Sequence, residues 1–415
     1  MLKNFYSLTS KVLVGSALSL AMLNFAFAQM SHSSHLATSA PAKPAPCVGS
    51  ALECANAATP TFLADGTLLL AWTAGGAVSV AQSFDMGKTF SSPSIISEHG
   101  KSLDTGSDAR PQIIADTRNN VLLAYAFFKD THWNAQINTA RSVDGGKTFT
   151  TAQPLIDGVS QRFPSMVGRP DGSIFITWVD KRLVSEAKKA GQQRLGGSIA
   201  YSFSNDGGIS FAPEKIANEY SCECCRIGAS LDPQGGAGII YRTIFPGGIR
   251  DHATQIISPM MAGKVERVAR DEWKTDACPH HGPTIAISES GKIHVAWFTQ
   301  GSARSGVFYA SSSNQGVSYS RPERIGAPDA NISRPYLLAV GQAVWLAWKE
   351  FDGNKTDIYL KQSFDDGKTW SAPRVIAQTA GYSDHPLLIQ RQNDVFLSWL
   401  TRADGYQLIQ LNSKQ

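Results

Sequence analysis

Ser142-Val-Asp144-Gly145-Gly146-Lys-Thr148-Phe149 decides how this chain is read, because it recurs. Ser83-Phe-Asp85-Met-Gly87-Lys-Thr89-Phe90, Ser204-Asn-Asp206-Gly207-Gly208-Ile-Ser210-Phe211 and Ser363-Phe-Asp365-Asp-Gly367-Lys-Thr369-Trp370 repeat the pattern. Ser312-Ser-Asn314-Gln-Gly316-Val-Ser318-Tyr319 is a weaker copy, and a proline follows each one: Pro93, Pro154, Pro213, Pro322 and Pro373. The residue types are those of a tight turn. The Asp accepts backbone N–H groups across it, the Gly takes a positive φ, and the hydroxyls and the aromatic pin the flanking strands. Five copies are too many to be active sites, so they mark a structural repeat.

A longer unit runs between the turns. It begins with a proline in most copies, passes through an apolar strand, turns at Gly, Asn or Asp, and ends a second strand on Trp or Tyr. The units are 60–72, 111–125, 164–178, 227–241, 283–297, 335–348 and 386–399. Second strands such as Leu68-Leu-Leu-Ala-Trp72 and Val344-Trp-Leu-Ala-Trp348 are apolar and β-prone. A third strand, the Asp-containing turn and a fourth strand complete each unit. In the unit starting at Ile227 the turn has decayed to Ser258-Pro-Met-Met-Ala-Gly263. Four-stranded antiparallel units repeated radially make an all-β β-propeller, here of seven blades, with six as the fallback. The last unit shows three strands, and the segment 47–57 is expected to supply its fourth. One domain, 47–415, results.

These Ser-x-Asp-x-Gly-x-Thr-Phe/Trp repeats resemble the Asp-boxes (BNR repeats) of the sialidase, or neuraminidase, superfamily, over nearly all of the chain after residue 46. The resemblance implies the propeller fold. It also implies a glycoside hydrolase-like site in which an arginine triad binds the substrate carboxylate, a tyrosine activated by a glutamate is the nucleophile, and an aspartate is the acid/base. On this sequence those roles would fall to Arg110, Arg226 and Arg334, to Tyr382 in Gly381-Tyr-Ser-Asp384 with Glu223 as its partner, and to Asp108 or Asp104. The Arg-Ile-Pro segment that opens most family members is replaced here by Ala58-Thr59-Pro60. The activity would be that of an exo-sialidase.

Propeller topology places the Asp-turns on one face and the blade-to-blade loops on the other. Arg110, Arg162, Arg226, His281, Arg334 and His385 all stand where the chain enters strand one of a blade, so they should ring the axial mouth. Such a ring needs an anion or interleaved carboxylates. A small anionic or glycan ligand and a self-satisfied Arg–Asp lattice are the two readings. Asp108, Glu223, Asp271 and Asp384 lie in the same loops.

Cys222-Glu-Cys224-Cys225-Arg226 and Cys278-Pro-His280-His281 fall in consecutive blade-to-blade loops. As ligands, Cys222, Cys224, Cys225, Cys278, His280 and His281 fit a soft-metal site for copper or zinc. As disulfides, Cys222–Cys225, Cys224–Cys278 and Cys47–Cys54 would use all six cysteines, and a redox-active pair is a further reading. The functional alternatives are thus a metal-binding protein and a non-catalytic docking propeller with an envelope partner.

Residues 1–28 read as an export signal: lysines at 3 and 11, an apolar run, and Ala26-Phe-Ala28 as a cleavage site. Residues 29–46 read as a flexible linker rich in Ser, Ala, Pro and His. A periplasmic or secreted monomer, free of the membrane after cleavage, is expected. The formal charge of +4 includes both leader lysines, and only 17% of residues are charged. The chain therefore carries no electrostatic footprint for nucleic acid.

Overall fold

In each Ser-x-Asp-x-Gly stretch the Ser and Asp side chains close the loop by hydrogen bonds before any tertiary contact is made. In the first, Ser83 Oγ donates to Asp85, Gly87 N–H donates to Ser83 Oγ at 2.8 Å, and Thr89 donates to Asp85 through both N–H and Oγ1. Those donors, Thr89 foremost, hold the Asp85 carboxyl down at about 2. Gly87, Gly146, Gly208, Gly316 and Gly367 all have positive φ, and so does the residue before each one. The turn is therefore left-handed at two successive residues, the geometry that matches strand twist. A Cβ on Gly146 would lie 2.9 Å from Leu69 of the preceding blade, so glycine is also needed for close blade packing. Gln82 and Arg141 add side-chain bonds to the carbonyls of Gly145 and Gly207 in the next blade's turn.

The computed structural model describes residues 47, 49–156, 158, 160–275, 277 and 279–411. The leader and the linker inferred from the sequence, and Cys278, lie outside them. Seven antiparallel sheets are present, six of four strands and one of three, so the seven-blade count holds. The innermost strands are Ala58–Phe62, Gln112–Ala115, Gln161–Gly168, Gly228–Leu231, Thr284–Ile287, Asn331–Val340 and Leu387–Arg391. Each contacts the next, and the seventh returns to the first. The turns lie between the third and fourth strands, as in Ala77–Ser83 followed by Ser94–Glu98. Ser258–Gly263 holds the same place without a carboxylate, where Ser258 and Met261 bond to each other.

Each second strand buries its terminal ring between sheets. Trp72, Trp178, Trp297, Trp348 and Trp399 are each at most 2% exposed, and Tyr125 and Tyr241 fill the equivalent place in two blades. Truncating one such indole to Ala would cost about 3–5 kcal/mol. After Asp180 the chain forms a short helix over Arg182–Lys189. No described helix is long and apolar enough to cross a membrane.

The seventh blade corrects an expectation. Among its described residues segment 47–57 adds no strand, and the sheet that ends in Gly405–Leu411 keeps three. The Cys47–Cys54 disulfide does form. It joins residues seven apart and draws their Cα atoms to 5.1 Å, so that stretch cannot extend as a strand. It makes a single 3₁₀ turn, Leu52–Cys54, against the first blade, where Trp72 Nε1 donates to Ser50 O. Side chains close the ring instead: Arg402 bonds Glu53 O and Asn56, and Ala58 N–H donates to Asp384.

Candidate functional site

The six cationic or titratable residues do gather on the blade-to-blade face, but they divide into two classes. Arg110 is buried and forms a fork–fork pair with Asp384, at 2.6 and 3.2 Å, while also donating to Ala58 O and Ser107 O. Arg162 pairs in the same way with buried Asp104, at 2.5 and 2.9 Å. These two arginines are satisfied by the protein, as the lattice reading requires. Arg226 and Arg334 are not. They share the single carboxylate of Asp108, 3.6 Å from Arg226 and 3.0 Å from Arg334. Arg226 Nε finds no hydrogen-bond partner among the described residues. Burial pulls the Arg226 pKa down to about 10, with Asp108 opposing and Arg334 and Arg110 adding to the fall.

The backbone that carries these arginines explains their aim. Strand one runs past the arginine in the third and sixth blades and bulges there. Phe163, between Arg162 and Pro164, has φ 55°, and Arg334, before Pro335, also has φ 55°. A bulge in the left-handed region redirects a side chain that a regular pleat would send elsewhere. Three successive carbonyls then receive three guanidinium groups: His280 O from Arg334, His281 O from Arg242, and Gly282 O from Arg226.

Both ring histidines are neutral. Burial lowers His281 to about 3 and His385 well below its ordinary value, and the surrounding arginines add to both shifts. The Nδ1 atoms of both lack a partner among the described residues. Lys349, which follows Trp348 in its strand, was not singled out from the sequence. Among the described residues its Nζ meets only the carbonyls of Ser383 and Asp384, at 2.9 and 3.2 Å. Burial brings Lys349 down to about 8. Behind this mouth lies an axial cavity of about 500 Å³, walled by the inner strands (Pro60, Ile113, Met166, Leu337 and Leu387 among them) and reaching Asp108, Arg110 and Arg226.

The residues assigned from the resemblance to chemistry are dispersed. Tyr382 is 54% exposed, and its hydroxyl lies 3.4 Å from Ser107 Oγ. Glu223 is held by Lys181 at 2.6 Å rather than by the tyrosine. Asp108 sits between two arginines, and Asp104 is buried under Arg162. Asp271 accepts from the Trp297 indole and pairs with Arg304.

The cysteine loop comes together. Cys222, Cys224 and Cys225 carry buried thiols, with Sγ of Cys222 at 3.4 Å from that of Cys224 and 3.6 Å from that of Cys225. The expected Cys222–Cys225 bridge is therefore absent: those atoms are at contact distance. The expected Cys224–Cys278 pairing lies outside the described residues. Among the described residues, the three cysteines alone bring their ligand atoms within 4.8 Å of one another, and His280 and His281 are not part of that group. The His281 ring is stacked on Phe298, with centroids 4.1 Å apart.

No protein-family model and no curated protein matches the sequence. Solved structures do match the fold. A PL25 polysaccharide lyase, an ulvan lyase bound to -[GlcA(1-4)Rha3S]-, superposes with TM-score 0.54 at 10% identity, covering 86% of this chain and 93% of that one. Another structure of a PL25 ulvan lyase gives 0.53 at 10% identity, over 85% and 92%. A Hadza microbial sialidase, Hz136, gives 0.49 at 10% identity, over 84% and 77%. The likeness to the two lyase structures establishes a shared fold and leaves the site to be argued from its own residues.

Proposed function

We propose that this chain binds a carboxylate-bearing saccharide at the axial mouth, held by Arg226 and Arg334, with Lys349, paired across the strands with the neighbour of Arg334, adding its charge. One observation carries the reading: two guanidinium groups share the Asp108 carboxylate, 3.0 Å from one and 3.6 Å from the other. Lys349 adds a cation whose hydrogen-bond partners among the described residues are carbonyls. Once Arg110–Asp384 and Arg162–Asp104 are set aside as closed pairs, the mouth has more positive than negative charge. A ligand carboxylate supplies the missing anion, and planar guanidinium groups recognise it by paired N–H bonds. The choice of a saccharide is supported by the ulvan lyase of like fold, which is described with bound -[GlcA(1-4)Rha3S]-. The reading is one of binding, because Glu223 is paired with Lys181 and the Tyr382 hydroxyl has no carboxylate partner among the described residues. We place the protein outside the cytoplasm, exported by residues 1–28 and acting as a monomer.

Calorimetric titration with acidic and neutral oligosaccharides of equal length tests this. Binding of the acidic member alone is expected. Equal affinity for both would contradict it. Turnover of a fluorogenic sialoside that disappears in Tyr382→Phe would contradict the restriction to binding.

A further inference from the structure

The loop carrying Cys222, Cys224 and Cys225 has a composition that a protein interior does not tolerate without reason. Three sulfurs are packed in contact, and all are nearly inaccessible to solvent at 1%, 5% and 3% exposure. Two guanidinium groups are brought to them. Arg242, itself buried and stacked 4.2 Å over Trp273, donates to Cys225 Sγ at 3.1 Å, and Arg250 approaches Cys222 Sγ at 3.8 Å. Neutral thiols are weak acceptors and give a buried arginine little return for losing water. Thiolates do. A cluster of adjacent thiolates in turn repels itself unless a cation sits among the sulfurs.

From this juxtaposition we infer that Cys222, Cys224 and Cys225 form a three-thiolate binding site for Cu(I). The size is suitable. Metal–sulfur bonds of about 2.3 Å put the three sulfurs of a trigonal site about 4 Å apart. Here two separations are 3.4 and 3.6 Å, and none exceeds 4.8 Å. The chemistry is suitable too, because soft thiolates select Cu(I), zinc or iron–sulfur clusters over hard cations. Charge decides among these. Three thiolates beside two guanidinium groups leave one negative charge, which a monovalent ion neutralises and a divalent ion overshoots. A trigonal Cu(I) needs no fourth ligand, whereas structural zinc takes four.

His252 supplies an independent observation. It is 1% exposed, and neither ring nitrogen has a hydrogen-bond partner among the described residues. Its strand partner directly opposite is Arg242, so both side chains leave the same face of the sheet toward the sulfur cluster. A buried imidazole with two idle nitrogens is costly unless something nearby uses it. Imidazole nitrogen is a donor that copper accepts as readily as zinc, so these idle nitrogens beside the sulfurs mark the cluster as a metal pocket.

The test uses the whole chain, reduced and handled without oxygen, with Cu(I) and Zn(II) each offered in competition with a chelator. One Cu(I) per chain is expected, with a sulfur-to-copper charge-transfer band in the ultraviolet. Affinity should fall on the order of 100-fold in Cys225→Ser. Because serine variants can disturb folding, the parent protein provides a second readout: Cu(I) should shield Cys222, Cys224 and Cys225 from alkylation, read by peptide mapping. No retained copper, copper retained undiminished in the triple serine variant, or alkylation unaffected by Cu(I) would overturn the assignment. Zinc retained in preference to copper and lost in His252→Leu would also overturn it, in favour of a four-coordinate site.

Discussion

The Asp108 carboxylate lies 3.0 Å from the Arg334 guanidinium, and Arg226 stands 3.6 Å from the same carboxylate. The two cations enter from different blades, and a lone carboxylate cannot fork to both. Asp108 therefore keeps the mouth assembled in the absence of a ligand while leaving donor capacity for one.

Ligand affinity should depend on pH through Lys349. Burial brings its pKa to about 8, so it is cationic below that pH and neutral above it. The neutral histidines add no charge in this range. Affinity for an acidic saccharide should therefore strengthen as pH falls from 9 to 7, and Lys349→Met should flatten the profile. Calorimetry across this range is the check.

Stability should move in the opposite direction. The folded pKa of His385 lies well below the unfolded 6.5, so below pH 6.5 the unfolded chain takes up a proton that the folded chain refuses. The contribution is fully present above 6.5 and is lost progressively as pH falls. For one such histidine the slope is about 1.4 kcal/mol per pH unit. Thermal melts between pH 7 and 5 should show a falling Tm, with a shallower fall in His385→Gln.

Asp384 joins the last blade to the first two. It accepts Ala58 N–H at 3.0 Å and His385 N–H at 2.6 Å, together with the Arg110 fork. Asp384→Ala leaves Arg110 buried without its partner, at a cost of about 3–5 kcal/mol. The same substitution releases the contact that replaces a closing strand. Denaturant unfolding measures the loss, and a change under 1 kcal/mol would show that the ring is closed by other contacts.

Gly146→Ala places a methyl 2.9 Å from Leu69 Cδ1 at a residue with φ 82°. The expected loss is about 1–3 kcal/mol, without loss of ligand binding, because the turn is on the face away from the mouth. Chemical denaturation and saccharide titration of the same variant separate the two effects.

The fold was legible because its signal is local. Ser142, Asp144 and Gly146 make the same hydrogen bonds in each copy, and a periodic turn implies a periodic sheet. The seventh blade was misread because a Cys47–Cys54 bridge and an extended strand exclude one another, and the strand was favoured by analogy with the other blades. At the mouth, the arginines were legible as one position repeated at each strand entry. Which of them are closed pairs was not, since Asp384 and Asp104 arrive from loops of other blades. Lys349 was invisible because it follows a core tryptophan in a strand, where a lysine reads as an exposed edge. His252 reads from the sequence only as part of Arg250-Asp251-His252, beside the turn Pro246-Gly-Gly248. Its meaning depends on Arg242 standing opposite it across the sheet.

The most direct test of the central claim is calorimetric titration of a glucuronate-bearing oligosaccharide into the parent protein, Arg226→Gln and Arg334→Gln. Saturable binding by the parent and at least a tenfold loss in each variant are expected, with the melting temperature of each variant near that of the parent. Binding unchanged in both variants would contradict it.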